Sequence, residues 1–149
     1  MRHWLRLASL PFVACLVFFC VTPSGEWPLR HSSPEVVRAI RSVVEAQFEA
    51  FRDDDYSRAR SYASAEIQRQ FTTAAFERMV KGGYPGIAFW QKVSFGAVAD
   101  NGHEGVIEVS VTSRRGHTRS YRYLLIREGE LWRINGVVEF EPTATGQFV

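Results

Sequence analysis

Apolar residues recur with the period of an α-helix in the first third of the chain. At about 100° per residue they fall on one face of a helix, and they are Val36, Val37, Ile40, Val43, Val44, Phe48 and Phe51. Ser32 or Ser33, followed by Pro34, is typical of a helix start. The pattern predicts a long amphipathic helix over Pro34–Asp55 that buries one face against the rest of the chain.

Shorter helical patterns follow this helix. Asp55 can cap a second helix, which makes a turn plus cap a better interpretation of the run Asp53-Asp54-Asp55 than a metal site. Thr72 or Thr73 can cap a further helix that ends at Gly82-Gly83. The sequence therefore predicts a helical first half.

From Lys92 onward the apolar period is two, which is typical of β-strands. The strand candidates are Lys92–Ala99, Gly105–Thr112, Thr118–Arg127 and Leu131–Glu141, joined by tight turns. One face is expected in the core, with Val93, Phe95, Ala97, Ile107, Val109, Val111, Tyr121, Tyr123, Leu125, Trp132 and Ile134. Helices followed by an antiparallel four-stranded meander predict an α+β fold, with the N-terminal helices packed on a curved sheet.

The N-terminus has the pattern of a targeting segment. Arg2 and Arg6 precede Leu7–Val21, an apolar run of about fifteen residues, whereas a bilayer span takes roughly 20. We expect residues 1–25 to be a signal peptide or an uncleaved membrane anchor, 26–33 a linker, 34–141 the folded domain and 142–149 a tail. The protein is thus expected to be exported, periplasmic or secreted, or else anchored to the inner membrane.

Charge and cysteine content narrow the function classes. The formal net charge of the 149 residues is +2, and both excess charges lie in residues 1–25. A neutral domain is a poor match for nucleic-acid binding. Cys15 and Cys20 are the two cysteines of the chain, so the predicted domain has neither a disulfide framework nor thiol chemistry.

The sequence offers no catalytic or metal-binding signature, and no cofactor is predicted. His103 and His117 lie beside predicted hairpin turns, and Glu108 is expected on the outer sheet face. Five arginines of the strand region could bind an anion or a phospholipid head group, but cross-strand ion pairs are the alternative we favour; they are Arg114, Arg115, Arg119, Arg122 and Arg127.

Aromatic residues supply the candidate ligand-binding site. Aromatic walls with a few polar groups are typical of small-molecule pockets. The residues predicted to bind a ligand are Gln47, Tyr84, Trp90, Tyr121 and Tyr123. Gln47 lies inside the apolar stripe of the long helix, where an amide needs a partner or water. We expect it to open onto a hydrated cavity with Tyr84 or Trp90 near the mouth.

Several strings resemble the bacterial family called domain of unknown function 4864, over roughly Val36–Val137; they are Glu45–Asp55, Arg60–Ser64 and Phe76–Pro85. The closing Gly129–Gly136 resembles the last strand of the nuclear transport factor 2-like (SnoaL-like, cystatin-like) superfamily. The resemblance implies a cone-shaped domain in which helices cover a curved sheet around a pocket. That superfamily includes isomerases, dehydratases, hydrolases and non-enzymatic binding modules, and it supplies no catalytic residues here.

Three hypotheses follow for the function. The favoured one is a non-enzymatic domain that binds a small apolar ligand or an envelope protein. The alternative is a small SnoaL-like enzyme, in which Gln47, Tyr84 or Glu108 polarises a substrate; a buried carboxylate or histidine would favour it. The third is a homodimer through the outer sheet face. Nucleic acid is not an expected partner, and the membrane is expected only through the N-terminal segment.

Overall fold

The computed structural model describes residues 30–142, so the predicted targeting segment and residues 143–149 of the tail lie outside the described residues. Five helices come first: α1 Pro34–Arg52, α2 Tyr56–Ser61, α3 Ala65–Gln70, α4 Thr73–Gly83 and α5 Pro85–Ala88. The strands are β1 Arg30–His31, β2 Trp90–Asp100, β3 Glu104–Ser113, β4 Thr118–Glu128 and β5 Leu131–Phe140. All neighbouring strands are antiparallel, in the order β1-β2-β3-β4-β5.

The predicted α+β order, with helices before a four-stranded antiparallel sheet, is confirmed. The short strand β1 adds to it: Arg30 and His31 lie in the segment predicted as a linker and pair with Asp100 and Ala99 of β2. The sheet therefore begins four residues before α1.

Local chemistry determines where α1 begins and ends. The Ser33 hydroxyl accepts a hydrogen bond from the Val36 N–H at 3.3 Å, which is the expected N-cap. Asp54 has a φ of 54°, in the left-handed region, so the helix cannot continue through it. The helix thus ends at Arg52 rather than at the predicted Asp55.

The apolar stripe of α1 packs against the inner face of the sheet. Ile40, Val44 and Phe48 are at most 1% exposed, and they join the inner side chains of β3 and β4 in one core. This contact between helix and sheet is the one that the hydrophobic period of α1 predicts.

The ladders are irregular at three places, at Gln91 and at Gly96-Ala97 on β2 and at Asn135 on β5. On β2, Phe95 pairs with Val109 and Val98 with Ile107, so two residues oppose one on β3. The bulge reverses the alternation, so Val98 is buried and Ala97 is exposed. The prediction that Ala97 faces the core was wrong for this reason.

The bulge on β5 lies where Leu124 pairs with Gly136 and Leu125 with Ile134, leaving Asn135 unpaired. The edge of β5 beside this bulge is covered by the segment after α2. The Ser64 N–H donates to the Ile134 carbonyl at 2.8 Å, and the Ser64 hydroxyl donates to the Asn135 Oδ1 at 2.7 Å. The helical layer is thereby tied to the last strand.

Candidate functional site

Three tyrosines from two parts of the fold come together on the inner side of the sheet. Tyr121 and Tyr123 are two residues apart on β4, so their side chains share a face. Tyr84 lies between α4 and α5, and its ring centroid is 6.5 Å from that of Tyr121. We call Tyr84, Tyr121 and Tyr123 the tyrosine cluster.

Tyr123 is the most enclosed member of the cluster. Its side chain has no solvent exposure, and its hydroxyl has no hydrogen-bond partner among residues 30–142. Burial raises the pKa of Tyr123 well above its usual value, and the neighbouring Tyr121 and Tyr84 raise it further. The hydroxyl therefore keeps its proton at neutral pH and is a buried donor that lacks an acceptor.

The other two hydroxyls differ in their partners. The Tyr84 hydroxyl donates to the Val137 carbonyl of β5 at 3.2 Å. The Tyr121 hydroxyl lies against Gly86 of α5, where an added Cβ would be 3.3 Å from it. Burial raises the pKa of both tyrosines, and the Glu139 carboxylate raises it further. All three phenols of the cluster are thus protonated, and the Tyr84 proton is already used in the bond to Val137.

An ion pair lies beside the cluster. Glu139 pairs with Tyr121 in the β4–β5 ladder, and Arg119 lies two residues before Tyr121 on the same face of β4. The Arg119 Nη1 is 2.5 Å from the Glu139 Oε1, and both side chains are exposed. The cluster therefore has an exposed ion pair as its neighbour on the same face of the sheet.

Gln47 does not open onto a hydrated cavity. Its side chain is 3% exposed, and its amide nitrogen donates to the Ala59 carbonyl of α2 at 3.1 Å. The prediction of a polar cavity wall at Gln47 was wrong because α2 folds back over α1 and supplies a hydrogen-bond acceptor.

We expect Gln47→Leu to lower the free energy of unfolding by about 1–2 kcal/mol, because the Ala59 carbonyl then keeps only the long 3.4 Å bond from the Tyr62 N–H. Urea unfolding of the variant measures the loss. Gln70→Leu, at an exposed position of α3, is the control and should change the value by less than about 0.5 kcal/mol. Equal values for the two variants would contradict a structural role for the Gln47 amide.

Trp90 is not at the mouth of a cavity with Gln47. Its indole N–H donates to the Phe48 carbonyl at 2.9 Å, and the guanidinium of Arg52 lies 4.1 Å from its ring centroid. Trp90 lines a separate groove of about 280 Å³ between α1 and β2, whose rim carries Glu45, Glu49, Arg52 and Lys92. This mixture of charges gives the groove no clear ligand preference.

Acid and base groups are absent from the buried part of residues 30–142, where the buried polar side chains other than the tyrosines are Gln47 and Ser64. Glu108 lies on the outer sheet face, as predicted, and bonds to Arg122 at 3.2 Å. His103 and His117 are exposed. Within the described range there is no group of three side chains able to hold a metal ion, and no helix is long and apolar enough to cross a membrane.

The family described as Domain of unknown function (DUF4864) matches residues 35–146, which is most of the chain. The chain belongs to the DUF4864 family. No functionally curated protein sequence matches it.

The DUF4864 domain is also similar in fold to solved structures. An NTF-2 like protein of unknown function from Shewanella oneidensis matches with a TM-score of 0.53 and 12% identity, covering 70% of this chain and 98% of that one. A SEC-C motif containing protein from Rhodopseudomonas palustris matches with a TM-score of 0.56 and 12% identity, covering 72% of this chain and 88% of that one. These similarities show a nuclear transport factor 2-like fold and nothing about activity.

Of the five residues of this DUF4864 domain that were predicted to bind a ligand, the structure brings together Tyr84, Tyr121 and Tyr123. It places Gln47 in closed packing and Trp90 at a separate groove. Sequence reasoning missed Gly86 and the Val137 carbonyl. Gly86 could have been considered, because a glycine allows another group to approach the backbone closely. The Val137 carbonyl could not have been predicted, because every residue has a backbone carbonyl.

Proposed function

We propose that this domain is a non-enzymatic binding module for a small, largely apolar molecule that presents a hydrogen-bond acceptor to the tyrosine cluster. The observation that carries the proposal is the fully buried Tyr123 hydroxyl, which has no partner among residues 30–142. A buried hydroxyl without a partner costs about 1–3 kcal/mol. A ligand carbonyl, ether or hydroxyl oxygen would remove that cost.

The surroundings of Tyr123 favour an apolar ligand body. Phe48 of α1 lies with its ring centroid 5.7 Å from that of Tyr123, and Ile107 and Val137 flank Tyr123 in the ladders of β3 and β5. One protonated donor among apolar walls is the usual composition of a site for a small molecule with a single polar end.

Binding is proposed rather than catalysis because the described interior holds amides, hydroxyls and phenols but no buried carboxylate or histidine. Tyrosines whose pKa is raised are poor general bases at neutral pH, since they hold their protons too tightly. A SnoaL-like enzyme would need an acid and base pair in this space.

We also propose that the domain acts in the cell envelope, because residues 1–25 have the pattern of an export or anchoring segment. An envelope protein as partner and a homodimer through the outer sheet face stay predictions. Leu124 and Val138 are 42% and 48% exposed on that face. Light scattering would measure the oligomeric state.

Native mass spectrometry of protein purified without denaturation tests the binding proposal. We expect the wild type to retain a small molecule and Tyr123→Phe to retain much less, because losing one hydrogen bond weakens binding about tenfold. Tyr62→Phe is the control, since Tyr62 lies at the end of α2, outside the tyrosine cluster.

Unfolding of the ligand-free protein gives the second measurement. Because the Tyr123 hydroxyl is unsatisfied, Tyr123→Phe should leave the free energy of unfolding unchanged or raise it by up to about 1 kcal/mol. A loss of more than about 1 kcal/mol, with no small molecule on the wild type, would mean that the hydroxyl is bonded within a closed core. The binding proposal would then be wrong.

A further inference from the structure

The turn between β3 and β4 carries two arginines beside an exposed phenylalanine. The Arg114 N–H donates to the Phe89 carbonyl at 3.1 Å, which holds Phe89 directly against the turn. Hydrogen bonds from Gly116 to Ser113 and from Ser113 to His117, both 2.9 Å, close the turn. We call Phe89, Arg114, Arg115 and His117 the basic tip.

The arginines of the basic tip differ from three other arginines, those of β4. Arg119, Arg122 and Arg127 each form an ion pair with a glutamate. The favoured prediction of ion pairs is therefore confirmed for these three and wrong for Arg114 and Arg115. Arg114 and Arg115 are exposed and have no ion pair within residues 30–142. The tip therefore carries two positive charges that form no ion pair within residues 30–142.

The charged residues around the tip are mixed in sign. Lys92 pairs with Thr112 just below the turn and is also exposed, but it lines the same groove as Glu45 and Glu49. Of the nearby acids, Glu139 is bound to Arg119, and Glu141 lies close enough to raise the pKa of Arg119. The turn itself contains no acidic residue.

Phe89 adds apolar surface at the same place. It is 44% exposed, although its neighbours Ile87 and Ala88 are buried. Its N–H donates to the Pro85 carbonyl at 3.0 Å, so its backbone is fixed at the end of α5. An isolated exposed phenylalanine is ordinary, but here it lies between a helix end and two unpaired arginines.

We propose that the basic tip binds the surface of an anionic phospholipid bilayer. The arginines would contact lipid phosphates while Phe89 enters the interface, and a bilayer supplies both an anionic and an apolar layer within a few ångströms. A free phosphate or a nucleic acid would leave Phe89 without a role. This contact does not depend on ligand binding by the tyrosine cluster.

The position of the tip in the fold distinguishes this contact from the predicted N-terminal anchor. β1 pairs with Ala99 and Asp100, at the other end of β2 from Trp90, which follows Phe89. The 11 residues of β2 span about 35 Å. The tip is therefore a second membrane contact, remote from the point where the chain enters the sheet.

Vesicle co-sedimentation tests the proposal with residues 26–149, since the buried core described above lies wholly within this range. The vesicles are phosphatidylcholine alone, or phosphatidylcholine with about a third of phosphatidylglycerol. We expect binding to the anionic vesicles only, with a fall in affinity as salt rises from about 0.05 M to about 0.5 M. Circular dichroism first checks that each variant is folded.

The variants test whether vesicle binding depends on the residues of the tip or only on the net charge of the protein. Arg114→Gln with Arg115→Gln should weaken binding about 30-fold, because each arginine near an anionic surface contributes about fivefold. Phe89→Ser should weaken it about fivefold to tenfold. The control is Arg69→Gln with Arg127→Gln, which removes the same charge from ion-paired positions and should change affinity by less than about threefold.

Four outcomes would overturn the proposal. They are no binding to either vesicle, equal binding to both, an equal loss in the control and the tip variant, and full competition by glycerol 3-phosphate at the concentration of vesicle phosphate. The last outcome would assign the tip to a soluble phosphate instead. None of the four bears on the native mass spectrometry result for Tyr123.

Discussion

Replacing Phe48 by alanine should lower the free energy of unfolding by about 3–5 kcal/mol, the range for removing a large aromatic side chain from a closed core. Phe48 is 1% exposed. Its ring centroid lies 5.7 Å from those of Trp90 and Tyr123 and 6.4 Å from that of Phe51. The side chain therefore joins α1, β2 and β4, and its loss leaves a cavity that none of these elements can close alone.

Urea unfolding followed by circular dichroism measures this loss. Phe89→Ala is the matched control: it removes the same atoms from a side chain that is 44% exposed, and should change the free energy of unfolding by less than about 1 kcal/mol. If Phe48→Ala cost less than about 2 kcal/mol, the layer between α1 and the sheet would be loosely packed.

Phe48 also illustrates what the sequence predicts well. A helical period and a two-residue period each depend only on neighbours within the chain, so the stripe of α1 and the alternation on β3 and β4 could be predicted. The inner residues Ile107, Val109, Tyr121 and Tyr123 are buried as the alternation requires.

The bulges could not be predicted in this way. Ala97 and Val98 are both apolar, so the sequence does not indicate where the alternation on β2 reverses. The reversal depends on pairing with β3, where Phe95 opposes Val109 and Val98 opposes Ile107. The bulge at Asn135 on β5 could not be predicted either, because its unpaired position depends on how Leu124 and Leu125 of the neighbouring strand pair.

The candidate site could be predicted only in part, because it also depends on contacts between elements that are distant in the sequence. The position of Gln47 in the buried stripe follows from helix geometry, but its partner is the Ala59 carbonyl of α2, twelve residues later. Whether a buried amide lines a cavity or a closed core depends on which element covers it. Tyr121 and Tyr123 share a face by strand geometry, whereas the approach of Tyr84 depends on the path of α4 and α5.

Arg60→Leu should lower the free energy of unfolding by about 3 kcal/mol. The Arg60 Nε donates to the Phe71 carbonyl at 2.6 Å, and the Arg60 Nη2 donates to the Gln68 carbonyl. These carbonyls lie at the C-terminal end of α3, where the last helical C=O groups have no partner within the helix. A hydrogen bond from a charged group contributes about 1.5–3 kcal/mol, and losing both leaves two carbonyls without these donors.

Two further substitutions show whether the guanidinium geometry is responsible. Arg60→Lys should lose about half as much, because an ammonium is a single point charge and cannot match the fork that bonds two carbonyls at once. Arg69→Leu, on the same helix but exposed and paired with Glu66, should cost less than about 1 kcal/mol. If Arg60→Lys were as stable as the wild type, one carbonyl bond would be enough to hold α3.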